Sequence, residues 1–163
     1  MLKKIVSGGQ TGVDRGALDA ALAHGFPCGG RCPRGRRAED GRIPDVYPLT
    51  ETDSARYIRR TRLNVEESDG TLIVTRGAPT GGTAATEAIA RKAGRPCYVV
   101  DLDRTAGTER TAGTEEVPAI LDWIEANGIA VLNVAGPRGS AFPGIDAAAR
   151  EIVAALLTPR PPS

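Results

Sequence analysis

Short aliphatic runs of strand length recur along the chain, each followed by a loop, often glycine-rich, and then by apolar positions at helical spacing. Residues 2–6 lead through Ser7-Gly8-Gly9-Gln10-Thr11-Gly12 into a helix predicted over 13–24, and residues 71–75 lead through 76–82 into a helix over 83–93. Residues 97–102 precede a loop and a helix over 117–127. Residues 130–134 lead through Ala135-Gly136-Pro137-Arg138-Gly139-Ser140 into a helix over 144–157. A further helix is expected over 53–67. Nearly continuous apolar strands alternating with helices predict an α/β fold, a three-layer Rossmann-like domain with a mostly parallel sheet flanked by helices.

The ends of the helices support this parsing. Thr11-x-x-Asp14 has the form of a capping box, and Asp14 also suits the positive end of a helix dipole. Gly25, Gly94 and Gly128 stand where helices stop. At 163 residues the length suits one domain, expected over residues 1–157, with a proline-rich disordered tail over 158–163. The hexapeptide RTAGTE occurs twice in succession, at 104–109 and 110–115. Two copies are too few for a solenoid and are expected to form a duplicated, mobile surface loop.

Candidate chemistry gathers at the strand ends. In an open parallel sheet the ligand crevice lies beyond the carboxyl ends of the strands. Three glycine-rich turns fall there, and the helix after each offers unpaired N–H groups to an anion. Gly8, Gly9, Gln10, Thr11, Gly12, Gly81, Gly82, Thr83, Gly136, Arg138 and Ser140 are therefore the candidate binding residues. None of the turns is the dinucleotide G-x-G-x-x-G or the GK[ST] phosphate loop. The stretch 28–50 has little periodicity and carries Arg31, Arg34, Arg36, Arg37 and Arg42, while Pro33, Pro44 and Pro48 argue for a fixed path. Arg34, Arg36 and Arg37 are the expected clamps on an anionic ligand.

Composition narrows the partners. The net charge is +1 and aromatics make up 4% of the chain, which argues against a nucleic-acid module that needs a basic surface and stacking platforms. Of the 21 basic residues 18 are arginine, the side chain suited to forked recognition of phosphate. No apolar run approaches a membrane span. Three cysteines cannot all pair, and Cys28-x-x-x-Cys32 without a second pair is weak grounds for a metal, so the chain is read as cytoplasmic with no catalytic metal. His24, the one histidine, sits beside a helix stop and has no partner for a Ser-His-Asp arrangement.

The segments SGGQTGVDRGALDAAL (7–22), CPRGRRAEDGRIPDVYPL (32–49), RTRLNVEESDGTLIV (60–74), TGGTAAT (80–86) and NVAGPRGSAFPGI (133–145) resemble the molybdenum cofactor carrier family. That resemblance implies a Rossmann-like subunit, association into a homodimer or homotetramer, and binding of molybdenum cofactor (molybdopterin, a phosphorylated pterin dithiolene) as cargo. More distantly the chain is similar to the lysine decarboxylase-like superfamily, which includes nucleotide phosphoribohydrolases. That similarity implies the alternative, an N-glycosidase releasing base from nucleoside 5′-monophosphates, with Arg60 and Glu87 as its catalytic candidates. Those enzymes read PGGxGTxxE, however, with the glutamate three after the threonine. Here Thr86 stands three after Thr83, and Glu87, one position later, is turned by about 100° around a helix. A decarboxylase is not expected, because Lys3, Lys4 and Lys92 have no cofactor-like setting.

Overall fold

The computed structural model describes residues 1–105 and 111–159. In chain order the elements are β1 (Lys4–Val6), α1 (Val13–Ala23), β2 (Cys28–Gly29), β3 (Arg31–Cys32), β4 (Arg37–Ala38), β5 (Gly41–Arg42), β6 (Thr50–Glu51), α2 (Tyr57–Glu66) and β7 (Gly70–Thr75). There follow α3 (Gly81–Lys92), β8 (Cys97–Asp101), α4 (Val117–Ala126), β9 (Val131–Ala135) and α5 (Ile145–Leu157). The central sheet is five-stranded and all parallel, in the order β2-β1-β9-β7-β8.

The period of two along each strand sorts the helices into layers. Ile5, Leu72, Val74, Leu132 and Val134 join one core with residues of α1, α4 and α5. Their neighbours Thr71, Ile73 and Asn133 are buried on the opposite face, the side of α2 and α3, and Asn133 donates to the Thr71 hydroxyl at 3.3 Å. Helices α1 and α5 approach closely because position 16 is glycine: a β-carbon there would lie 2.3 Å from the Asp146 carbonyl oxygen. This is the expected three-layer α/β arrangement.

Topology sets the place of the crevice. From β1 the chain steps outward to β2, and from β7 it steps the other way to β8; β9 then enters between β1 and β7. Connections leaving in opposite directions open a gap at the carboxyl ends of β1, β9 and β7.

Two local expectations are corrected. Helix α1 begins after Gly12, not Thr11, and has no side-chain cap; the Thr11 hydroxyl is drawn to tertiary partners instead. Residues 111–115 of the second RTAGTE copy are packed against the fold and do not form a surface loop. Ala112 is buried in the main core, Thr114–Glu116 forms a 3₁₀ turn leading into α4, and Glu116 accepts a 2.7 Å bond from the Tyr98 hydroxyl. The remainder of the predicted mobile loop, residues 106–110, and the tail residues 160–163 lie outside the described residues. Among those described, no helix is long and apolar enough to cross a membrane.

The arginine-rich stretch follows a fixed path. Strand β3 pairs with β6, β4 pairs with β5 as a hairpin, and Cys32, Ala38, Ile43 and Tyr47 pack with Leu18 of α1 into a second small core. Arg36 is buried within the stretch. Its guanidinium donates to the carbonyls of Ile43 (3.1 Å), Pro44 (2.8 Å), Tyr47 (2.9 Å) and Leu49 (3.3 Å). Tyr47 donates its hydroxyl to Asp19 at 2.7 Å, which ties the stretch to α1.

Candidate functional site

A cleft of about 470 Å³ opens at the carboxyl ends of β1, β7 and β9, within the size range of small-molecule sites. Four segments build it: the turn after β1, the first turn of α2, the start of α3, and the turn after β9 running on to Phe142.

The turn after β1 contributes Gln10 and, one helical turn on, Asp14. Gln10 is 6% exposed, and its amide oxygen accepts the backbone N–H groups of Thr11 and Glu39, each at 3.0 Å. The backbone N–H of Gln10 donates to Asp14 Oδ2 at 3.1 Å. Arg60 of α2 reaches the same oxygen at 3.4 Å. Burial pushes the Asp14 carboxyl up from its ordinary value, against the opposing pull of the Arg60 charge and the Gln10 N–H. Gly8 makes room for this pair, since a β-carbon there would come within 2.1 Å of Arg60 Nη1.

The first turn of α2 adds Tyr57, Ile58, Arg60 and Thr61 to the wall. Three guanidinium groups gather on the Tyr57 ring: Arg37 at 4.9 Å, Arg60 at 5.7 Å and Arg138 at 5.8 Å from its centroid. Opposite lies the start of α3, where Thr80, Gly81, Gly82 and Thr83 face the cleft. Thr80 makes no side-chain cap, and no acidic residue sits in the first turn of α3. The positive end of that helix is therefore uncompensated. From the turn after β9 come Gly136, Pro137 and Arg138, and beyond it Ala141 and Phe142.

The candidate residues read from the sequence thus divide. Gln10, Arg60, Gly81, Gly82, Thr83, Gly136 and Arg138 line the cleft; Arg37 stands at its edge on Tyr57. Gly9 is covered by Leu49 and Ile43, and Gly12 packs against the backbone of Pro137 and Gly139. Thr11 and Ser140 are engaged by Glu39. Its carboxylate accepts the Thr11 hydroxyl, the Ser140 hydroxyl at 2.6 Å and the Ser140 N–H at 3.2 Å, and these bonds hold it below the usual carboxylate range. Thr11 in turn accepts the Gly139 N–H at 3.1 Å. One acidic side chain from the arginine-rich stretch therefore fastens two glycine turns together. Arg34 is exposed and contacts the Asp53 carbonyl at 3.4 Å, and Arg36 is spent inside its own loop. Neither Arg34 nor Arg36 is a wall of the cleft.

Tyr57, Phe142, Asp14 as a cleft residue, and Glu39 as a fastener were not found from the sequence. Nothing in the pattern around them marks them, because each acquires its role only through long-range packing.

On α3, Thr86 lines the cleft and donates to the Gly82 carbonyl at 2.9 Å, whereas Glu87 is turned aside and pairs with Arg91 at 3.3 Å. Glu87→Gln is accordingly expected to change ligand affinity by no more than a few-fold, since the contact it loses is worth about 0.3–0.5 kcal/mol. Calorimetric titration of both proteins checks this. Release of free base from a nucleoside 5′-monophosphate by the wild type, lost in Glu87→Gln, would favour the N-glycosidase reading.

The cysteines are all free thiols, Cys32 within the small core and Cys28 against it. Among the described residues no group of three or more His, Cys, Asp or Glu stands ready to hold a metal ion.

Comparison with known proteins adds two findings. Residues 5–157 match the model of the family described as "Circularly permutated YpsA SLOG family". The crystal structure of a "Putative molybdenum carrier protein" from Syntrophus aciditrophicus SB is 43% identical, covers 96% of each chain and superposes with a TM-score of 0.89. No curated protein matches the chain.

Proposed function

The chain belongs to the circularly permuted YpsA SLOG family, and from that premise we propose that its cleft binds a phosphate-bearing small molecule, with molybdenum cofactor as the cargo carried. The observation that supports this best is the start of α3: an uncapped helix end with no acid in its first turn, opening into a cleft that also holds Arg60 and Arg138. Tyr57, Pro137 and Phe142 supply an apolar wall against which a flat ring system fits. The name borne by the 43% identical neighbour agrees with this reading. In it Gly81, Gly82 and Thr83 hold the phosphate, the three arginines around Tyr57 balance its charge, and the protein shields its cargo without transforming it.

The test is native mass spectrometry of protein freshly purified from cells that make the cofactor, with the bound molecule released and identified. A phosphorylated pterin is the expected result. In parallel, phosphorylated pterins or nucleotides should stabilise the fold, by about 2.7 kcal/mol at a hundred times the dissociation constant. Their dephosphorylated forms should do little. Equal stabilisation by both forms counts against a phosphate site.

A further inference from the structure

We propose that the polar end of the cleft selects a terminal phosphate monoester in its dianionic form over a phosphate diester, and that the Gln10 side-chain amide is a specificity-determining donor for it. This rests on the reading of the cleft as a phosphate site.

The charges on the wall give the first argument. Arg37, Arg60 and Arg138 bring three positive charges onto Tyr57. Two carboxyl groups stand among them: Asp14, 3.4 Å from Arg60, where burial disfavours the charge, and Glu39, 3.9 Å from Arg138. At least one positive charge is left over. Helices α2 and α3 both begin at this cleft, and neither has a side-chain cap or an acid in its first turn. Each such end carries roughly half a positive charge. The wall as a whole therefore offers about two positive charges or more. A terminal monoester near neutral pH carries about 1.5–2 negative charges; a diester carries one and would leave the wall undercompensated.

Hydrogen-bonding capacity points the same way, independently of charge. Two buried nitrogens on the cleft residues have no hydrogen-bond partner, Gln10 Nε2 and Arg60 Nε. The orientation of the Gln10 amide is fixed, because its other end accepts two backbone N–H groups and an oxygen must stand there. What remains is a donor, held in place and unmet. An unmet buried donor is a standing cost that a ligand acceptor relieves. Every free oxygen of a dianionic phosphate accepts and none donates, which suits a site whose unspent groups are donors alone.

The test titrates phenyl phosphate, methyl phenyl phosphate, phenol and inorganic phosphate into wild type, Gln10→Glu and Arg138→Met. Gln10→Glu keeps an oxygen for the two backbone N–H groups and turns the free donor into a charged acceptor. Arg138→Met changes an exposed side chain, so the test stands even if the first variant folds poorly. Phenyl phosphate should bind wild type at least about tenfold more tightly than its methyl ester, the effect of losing one charge-assisted contact. Phenol should not bind measurably. Both variants should lose at least about tenfold toward phenyl phosphate and should narrow the gap to the diester. Equal binding of monoester and diester overturns the proposal and leaves the phosphate reading intact. Undiminished binding by Gln10→Glu overturns the role of Gln10. If neither phenyl phosphate nor inorganic phosphate binds wild type, the reading of the cleft falls along with the proposal.

Discussion

Replacing Gly12 with alanine is expected to destabilise the fold by about 3 kcal/mol or more, from about 1–3 kcal/mol of backbone strain and a similar cost of overpacking. Gly12 sits at φ +83°, ψ −131°, a conformation that side chains rarely adopt. Its missing β-carbon would lie 2.4 Å from the Pro137 carbonyl oxygen and 2.7 Å from the Gly139 nitrogen. These are backbone atoms with no rotamer to yield, so relief requires the turns after β1 and β9 to part. Because both turns line or frame the cleft, ligand affinity should fall with stability. Gly139→Ala is the matched control: the nearest atom to a β-carbon there is at 3.5 Å, an ordinary contact, and stability should change by less than about 1 kcal/mol. Urea denaturation midpoints of the two variants decide the matter. Similar midpoints would show that the turns do not need their close approach.

Arg36→Met should be as damaging for a different reason. Four backbone carbonyls converge on one buried guanidinium, and methionine fills part of its volume while satisfying none of them. Leaving such acceptors unpaired costs about 1–3 kcal/mol each when they cannot reach water, so a net loss of about 3 kcal/mol is expected after the loop relaxes. Arg36→Lys should recover only part of it, because a single ammonium cannot span four acceptors in the plane of a fork. The signature is local as well as global: amide hydrogen exchange should quicken over residues 33–49 before the central sheet is affected. Uniform exchange with an unchanged midpoint would mean that the hydrophobic contacts of Ile43 and Tyr47 hold the stretch unaided.

These two residues also show what the sequence discloses. The parallel sheet and its helices were legible because apolar runs such as residues 71–75 and 130–134 are local patterns, read without knowing the fold. Strand β2 was not, since two residues carry no period. Thr11 has the spacing of a helix cap, yet it is held by Glu39, 28 residues further on, and no local rule weighs that competitor. Arg36 and Arg37 are chemically identical neighbours; one is interior and the other lies over Tyr57, and only the turn between Pro33 and the β4–β5 hairpin separates their fates. The displacement of Glu87 from the cleft was legible, because one residue along a helix is a fixed rotation and Thr86 takes the inward position. The glycine turns lie at the rim where the cleft opens. They did not reveal that the turns after β1 and β9 are partly satisfied by Glu39, or that Tyr57 gathers the arginines.

The central position of β9 has a consequence for how the molecule comes into being. During synthesis β1, β2, β7 and β8 emerge first, and until residues 131–135 follow, the sheet exists at most as two parallel pairs with no strand to join them. Each pair presents an open edge that belongs to β9, on β1 and on β7, and pairings at such separations along the chain close slowly. Until then the nascent polypeptide exposes unpaired strand edges, a condition that favours aggregation. Arg138 and Phe142 follow β9 in the chain, so the wall of the cleft is complete only once that strand stands between β1 and β7.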